Sequence, residues 1–390
     1  MSGATVYAAI PVFNRLALTF RCIRLLAAQT YLRIEVVVAD GGSTDGTPRL
    51  VAEQFPQATV LTSRRPLWWA GAMAMAIDHV LRVSTNSADF LLMMNNDTEF
   101  DEDYVSTLVR VATETGAAVG ALTVDVRDPG IILDAGEFID WENYAFPVKT
   151  TIAPGERFFD GVDVLPGRGS IVPLEMIRKA GNVDARRFPH YIADYEFFAR
   201  LKRLGFRLGV TYETVLKSDP AVTGLSVRAG EIVSLMRAIQ LSFSRKSMNN
   251  IFDHYRFIDA AAPIAIKSRV KRRFVRIRAV NVLDRLRLLA VARRIRLGYL
   301  CLKRLVFPPF CFSAEEAAIA GLDVIDATRE AVLVPFATSE GTRYFFRRRP
   351  IAGGRHHGPF ANLREYATRR NHRVPRAVVW KDLCGWPRTR

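Results

Sequence analysis

Val37-Val-Ala-Asp-Gly-Gly-Ser-Thr-Asp-Gly-Thr47 turns, within one residue, from an apolar run into a polar, glycine-rich loop. Ile34 to Ala39 reads as a buried strand, and the change at Asp40 marks its carboxyl end. Toward the amino terminus, Leu16 to Gln29 carries Leu18, Cys22, Leu25 and Leu26 at helical spacing, and Thr5 to Val12 is a second apolar strand running through Pro11. Toward the carboxyl terminus come a helix through Val51 and Phe55, a short strand at 58–62, a helix from Ala70 to Arg82 and the apolar strand Phe90 to Met94. Strands alternating with helices at these lengths predict an α/β fold, with a mostly parallel central sheet flanked by helices. Such sheets bind ligands outside the carboxyl ends of their strands, and the polar clusters fall there.

Three clusters could carry chemistry. In Asp40-Gly-Gly-Ser-Thr-Asp-Gly-Thr47, a carboxylate at a strand end can accept hydrogen bonds from a base or ribose, and glycines let backbone N–H groups approach a ligand. The lysine of a P-loop is missing. The same residues also suit an Asx-rich turn that caps the next helix. Asn95-Asn-Asp-Thr-Glu99 again follows an apolar strand. Asp97 there can hold a divalent cation, Mg2+ or Mn2+, and leave positions for diphosphate oxygens and water. A plain polar turn fits as well, and Asp101, Glu102 and Asp103 read as favourable acids at a helix start. The third cluster is Phe188-Pro-His-Tyr-Ile-Ala-Asp-Tyr-Glu-Phe-Phe-Ala-Arg200, on a helix predicted from Tyr191 to Leu204. Asp194 shares a face with Phe197 and Phe198. Desolvation among Tyr191, Tyr195 and Phe197 would raise its proton affinity, which suits a general base. Glu196 and Arg200 are spaced for an i,i+4 ion pair.

Apolar residues make up 49% and charged residues 24% of the 390, a balance that excludes wholesale disorder. The net charge of +16 is uneven. Lys267 to Arg304 holds 14 Lys/Arg against the single acid Asp284, and Arg343 to Arg390 holds 13 against Glu365 and Asp382. Everything else is mildly acidic, so the excess points to a polyanion near the C-terminal part. Ile264 to Phe312 interleaves those cations with Phe274, Ile277, Val282, Leu286, Leu289, Ile295, Leu300 and Leu302. A basic amphipathic helix lying on an anionic membrane has that pattern. So does a helical pair packed on the rest of the protein with solvated arginine faces. Nucleic acid is not expected, because no recognisable binding module accompanies the charge. Cys22, Cys301, Cys311 and Cys384 form no CxxC pair and suit a reducing compartment. No basic n-region follows Met1, and no window approaches ~18 apolar residues. The expected location is therefore the cytoplasm, either free in the cytosol or peripheral on the cytosolic face of a membrane.

Together these stretches resemble the family 2 glycosyltransferases of the GT-A fold, in a polysaccharide- or rhamnosyltransferase-like branch. Ile10-Pro-Val-Phe-Asn-Arg15 is similar to the family's opening signature, Val37 to Thr47 to its nucleotide loop, and Leu91-Leu-Met-Met-Asn-Asn-Asp97 to its metal-binding strand end. Trp68-Trp-Ala-Gly-Ala72, Leu165-Pro-Gly-Arg-Gly-Ser170 and the stretch from Phe188 to Glu196 resemble the polysaccharide-building branch. Six motifs stand in the family's order over roughly residues 4–225. The resemblance implies that Asp40 binds the base or ribose, with Pro11, Phe13, Asn14 and Gly42 around it. Asp97 would ligate the metal, with Asn95 and Asn96 beside the donor sugar. Trp68, Trp69 and Gly71 would border the sugar or diphosphate, and Asp194 would be the general base. Gly167, Arg168 and Gly169 would border the acceptor channel, with His190 and Glu196 on the acceptor side. Two departures stand out: Ala193 replaces the acid that usually precedes the base, and no histidine lies near Lys217-Ser-Asp219. Either fewer protein ligands hold the metal, or Asp219 or His190 compensates.

The implied activity is inverting transfer of a sugar, in a single displacement, from a nucleoside-diphosphate sugar to a hydroxyl of a glycan or lipid-linked glycan. A nucleotidyltransferase, or a non-catalytic protein that binds nucleotide sugar or glycan, would use the same fold. The expected divisions are 1–125 for the nucleotide-sugar half, 126–230 for the acceptor half, 231–312 for the basic helical region, and 313–390 for a small helix–strand module with a basic tail.

Overall fold

The computed structural model describes residues 3–219 and 234–285, and the backbone of strands at 311–313, 331–338 and 341–348. Two compact units are present, residues 1–287 and 288–390.

In the first unit, strands β1 (Val6–Val12), β2 (Ile34–Asp40), β3 (Thr59–Thr62) and β4 (Phe90–Met93) alternate with helices α1 (Leu16–Ala27), α2 (Thr47–Gln54) and α3 (Trp69–Val83). The strands lie parallel in the order β3-β2-β1-β4. β4 is buried at every residue, which is why it reads as an uninterrupted apolar run rather than an alternating one. Pairing Val12 with Asp40, and Ala9 with Met93, aligns their carboxyl ends along one rim.

The sheet continues through β5 (Thr98–Phe100), α4 (Tyr104–Thr115), β6 (Ala117–Asp125), β7 (Ile132–Asp134), β8 (Phe158–Phe159), β9 (Ser170–Pro173), α5 (Leu174–Ala180), α6 (Ala193–Arg203) and β10 (Arg207–Ser218). Past β4 the order is β9-β6-β10-β5, with β7 and β8 paired to β6 and β10. β9 runs antiparallel to both neighbours, and β5 runs antiparallel to β10. The other six strands of the main path share one direction, as the βα alternation predicts. One apolar layer covers each face, built around Met73, Ile77 and Phe197 on one side and Ile10, Tyr104 and Leu108 on the other.

α6 starts two residues later than its hydrophobic pattern suggests, because Ile192 adopts a left-handed backbone (φ 67) that breaks the helix just before Ala193. The last helices of this unit are α7 (Leu235–Phe243), α8 (Ile251–Ala261) and α9 (Lys267–Arg285). α9 covers the first part of the basic stretch that begins at Ile264. Its Val270 and Phe274, one turn apart, are buried against Phe257 and Ile258 of α8 and against Tyr144 and Phe188. Arg269, Arg272, Arg273 and Arg276 face outward. This helix is thus packed on α8 along one side, and residues 286–310 lie outside the described residues.

In the second unit, β11 (Cys311–Ser313), β12 (Ala331–Thr338) and β13 (Gly341–Arg348) form an antiparallel sheet in the order β11-β13-β12. The helix expected within 313–347 and the tail expected beyond it fall outside the described residues.

Gly169, at the entry to β9, has φ +75, and a side chain there would meet the Tyr104 hydroxyl and Leu216 Cδ2, the latter at 2.8 Å. Its N–H donates to the Met93 carbonyl, and its carbonyl accepts from Tyr104. Gly169 is thus packed on its Cα side against the Tyr104 hydroxyl and Leu216. Gly169→Ala is expected to destabilise the protein by roughly 2–5 kcal/mol, through left-handed strain and overpacking. Denaturant midpoints of the two proteins measure the difference.

Candidate active site

The donor-side rim starts where β1 ends. Asn14 (φ 59) and Arg15 (φ 66) are consecutive left-handed residues before α1. Asparagine tolerates that conformation; arginine adopts it only when its surroundings enforce it. The enforcement comes from the 40–47 loop. The Asn14 N–H donates to Ser43 Oγ (2.6 Å), the Thr44 N–H to Asn14 Oδ1 (2.9 Å), and the Leu16 N–H to Asp45 Oδ2 (3.3 Å). Held this way, Arg15 reaches Asp97, with Nη1 2.8 Å from Oδ2. Phe13 stands half-exposed beside this turn, and Pro11 lies in the β1–β2 ladder opposite Ala39.

Asp40 is only 2% exposed. Its carboxylate accepts from the backbone N–H groups of Gly42 and Ser43 at 3.1 Å. The carboxylate thereby shapes the loop in the manner of an Asx turn.

The residues after β4 separate by direction. Asn95 Oδ1 accepts the indole N–H of Trp69 at 2.9 Å. Asn96 points inward instead: it is 6% exposed and its amide donates to Thr19 Oγ1 at 3.0 Å. Asp97 emerges at the surface, with 28% of its side chain exposed. Gly71 lies in α3 one turn beyond Leu67, against which its Cα faces.

On the other side of Trp69, Asp194 occupies the first turn of α6. Its Oδ2 accepts the Gly167 N–H at 2.8 Å, and its Oδ1 accepts the Tyr195 N–H at 3.0 Å. A Cβ on Gly167 would lie 2.6 Å from the Trp69 ring and 3.0 Å from the Asp194 Cβ, so only glycine permits this approach. Burial raises the proton affinity of Asp194 above the ordinary carboxylate range, and the two N–H donors oppose that rise. Glu196 faces away from this site. It is 5% exposed and makes a two-point ion pair with Arg200 at 3.0 Å, as its spacing predicts, while Arg200 also binds the carbonyl of Asn182. The pair ties α6 to the segment that follows α5. His190 lies against Trp68 (ring centroids 5.4 Å) and Tyr191 (4.3 Å). Burial pushes its pKa down to about 4, so the ring is neutral at physiological pH.

Behind Asp194 is a group of buried acids that sequence reasoning missed. Glu137 and Asp134 are buried, and the Tyr195 hydroxyl donates to Glu137 Oε1. Desolvation, with the nearby Asp134 and Asp194 adding to it, pushes the Glu137 pKa up to about 8. Desolvation also raises Asp134. The Arg168 guanidinium counters all three carboxyl groups through its field. Yet its Nε is buried with no hydrogen-bond partner among the described residues.

Among the described residues, no three His, Cys, Asp or Glu gather as a ready-made metal cage. Mg2+ needs none, since one or two carboxylates and substrate phosphates can suffice. Asp97 supplies one such carboxylate. Asp219 follows Ser218, whose ladder partner is Thr98, and its carboxylate contacts Arg127 at 2.6 Å.

Residues 7–155 match the sequence model of Glycosyl transferase family 2. The chain is 26% identical over 114 residues to N-acetylglucosaminyl-diphospho-decaprenol L-rhamnosyltransferase of Mycobacterium tuberculosis, covering 28% of this chain and 37% of that protein. It is 24% identical over 210 residues to the succinoglycan biosynthesis protein ExoA of Rhizobium meliloti, covering 50% of this chain and 57% of that one. The chain thus spans between about a third and three fifths of these relatives. Among solved structures it is similar to the mannosyltransferase PcManGT from Pyrobaculum calidifontis in complex with GDP-Man and Mn2+, with a TM-score of 0.48 at 16% identity over 79% of this chain and 82% of that one. GalNAc-T7 with UDP, GalNAc and Mn2+ gives the same TM-score at 12% identity, over 70% of this chain and 55% of that one.

The Glu137 carboxyl links stability to pH. Folding raises its pKa from the ordinary 4.5 to about 8, so the folded state holds a proton that the unfolded chain releases. The stability this contributes is complete below the unfolded value and is lost as pH rises through the folded one. Glu137→Gln, neutral at every pH, is expected to melt with the wild type at about pH 5 and above it at about pH 9. Melting curves at the two pH values check this.

Proposed function

Residues 7–155 belong to glycosyl transferase family 2, and from that premise we propose that this chain transfers a sugar from a nucleoside-diphosphate sugar to a glycan or lipid-linked glycan hydroxyl. The observation that carries the reading is the continuous set of contacts at the rim. Arg15 and Asp97, Asn95 and Trp69, and Gly167 and Asp194 join the end of β4 to the first turn of α6. A donor diphosphate at Asp97 and an acceptor hydroxyl at Asp194 would then flank the two tryptophans.

Asp194 is the residue suited to take the proton of the attacking hydroxyl. Its raised proton affinity brings it closer to a useful base than an exposed aspartate, and the Gly167 and Tyr195 N–H groups fix both oxygens. Attack at the anomeric carbon, in line with departure of the nucleoside diphosphate, inverts the configuration in one displacement. Asp97 would hold a divalent cation, Mg2+ or Mn2+, with Arg15 giving up its ion pair. That cation would offset charge growing on the leaving diphosphate. The half-exposed Phe13 offers a face to a base, and the Asp40 carboxylate holds the adjoining loop in shape through the Gly42 and Ser43 N–H groups. Neutral His190 holds Trp68 in place without adding charge beside the donor.

Arg168 suits an acceptor with an anionic group, because its guanidinium makes no hydrogen bond to the described residues while Asp194 lies within its field. A sugar linked through diphosphate to a lipid, such as the one in the name of the mycobacterial relative, has that character. A nucleotidyltransferase would use a basic loop near the amino terminus to cradle phosphates. Arg15, the cation at that point, is turned to Asp97.

Asp194→Asn is expected to lower turnover about 10²- to 10⁴-fold and leave donor binding nearly intact. Asp97→Asn should abolish metal-dependent thermal stabilisation by the donor. A panel of nucleoside-diphosphate sugars, tested with Mg2+, with Mn2+ and with chelator, reads donor binding, and product release reads turnover. Near-normal turnover in the Asp194 variant would remove that residue from its role.

A further inference from the structure

We propose that the outer face of α7 and α8 is a seat for an anionic lipid surface. The inference does not depend on the transferase reading. On α7, Met236, Ile239 and Phe243 follow one another at i, i+3 and i+7 and are 66%, 44% and 49% exposed. On α8, Phe252 and Tyr255 repeat the pattern, and Met248 is exposed in the connection. The Phe243 and Phe252 rings lie 5.6 Å apart, so the two faces join into one patch. The opposite sides of the same helices bury Ala238 and Leu241, and Phe257 and Ile258. These helices therefore have two apolar faces, and folding uses one. A joined apolar area of this kind marks an interaction surface.

Charge selects the occupant. Residues 234–252 contain Arg237, Arg245 and Lys246 and no acid. The next acids are neutralised: Asp253 is buried beside Arg256, and Asp259 is paired with Lys271. The Lys271 ammonium also lies 4.5 Å from the Tyr255 ring centroid. The outward arginines of α9, the helix packed on α8, extend the basic rim. Residues 286–390 carry 20 Lys/Arg against 8 Asp/Glu, so that part of the chain has the same sign as the patch. A second copy of the chain would likewise bring basic rim against basic rim. Nucleic acid could answer the cations but has no use for exposed Met236, Ile239 and Met248. An anionic bilayer meets both demands, with acyl chains for the apolar side chains and headgroups for the rim. Among the described residues, no helix is long and apolar enough to cross a membrane, so the contact would be interfacial.

The full-length protein is tested by flotation with phosphatidylcholine vesicles, with and without about 30% phosphatidylglycerol. Flotation is expected with the anionic vesicles and should weaken as salt is raised. The triple variant Met236→Ser, Phe243→Ser, Phe252→Ser is expected to lower the bound fraction about ten-fold or more while keeping the wild-type circular dichroism and melting point, since all three side chains are exposed. Arg245→Glu with Lys246→Glu should lower binding to anionic vesicles alone, and a Trp placed by Phe252→Trp should shift its emission to the blue on those vesicles. Flotation of the triple variant equal to wild type would overturn the proposal. So would a wild-type dimer that the triple variant dissociates, or retention by oligonucleotides without vesicle binding.

Discussion

The hydrogen bond from the Gly167 backbone N–H to the Asp194 carboxylate is the constraint on which the site depends, because it forms only while three separate segments stay in contact. Gly167 must lack a side chain, since Trp69 and Asp194 occupy the space a Cβ would take. Trp69 must lie flat enough for its N–H to reach Asn95. α6 must begin at Ala193, which the left-handed Ile192 enforces. Moving any one element would separate Asp194 from its donor and leave a buried carboxylate without compensation, an outcome that costs more than any single surface contact. Of the four left-handed non-glycine residues among those described, Asn14, Arg15 and Ile192 lie at this rim, where strain serves to aim side chains, and the fourth, Tyr144, is buried against Phe274.

The acids behind the site belong to the same balance. Asp134, Glu137 and Asp194 could not all be ionised in so dry a region with one guanidinium nearby. The fold keeps Glu137 protonated to about pH 8 and sets Tyr195 against it. Asp194 differs from Glu137 in having two backbone N–H donors and the positive end of α6. Those terms oppose the rise that burial causes at Asp194, whereas at Glu137 the opposition comes from the Tyr195 hydroxyl and the field of Arg168. Arg168 supplies positive field to all three without an ion pair to any of the described residues.

The alternation of strands and helices was legible in the sequence because β1, β2 and β4 are apolar runs that end abruptly in polar residues. The antiparallel β9 was not, since four residues reading Ser-Ile-Val-Pro carry no sign of direction. Which clusters meet at the rim could be read, but which side chains point into it could not. Asp40 and Asp97 look alike in sequence, each an acid just beyond a strand, yet Asp40 folds back onto its own loop and Asp97 emerges. Asn95 and Asn96 are neighbours that diverge because successive residues leaving a strand face opposite sides. Glu196 was readable as a helix pair from its spacing to Arg200. Glu137 had no local signal, since its environment is assembled from Tyr195 and Asp134, one of them 58 positions away. Arg15 carried one faint clue: an Asn-Arg pair between a strand and a helix is a natural place for a left-handed turn.

α8 connects the chemistry to the outer surface of the molecule. Its inner face packs Phe257 and Ile258 into the cluster that contains Ile192 and Ala193, immediately before Asp194. Arg256 and Arg203 add bonds from α8 to the carbonyl of Arg187 and from α6 to that of Ala260. Its outer face carries Phe252 and Tyr255. A helix of 11 residues is stiff on this scale, so a surface that holds the outer face also sets the position of α6 relative to it. For an acceptor whose anionic group sits at a headgroup, that arrangement would restrict the search for Asp194 from three dimensions to two. The basic residues around α7 and α8, which do nothing for the packing of the sheet, then have a physical reason to be where they are.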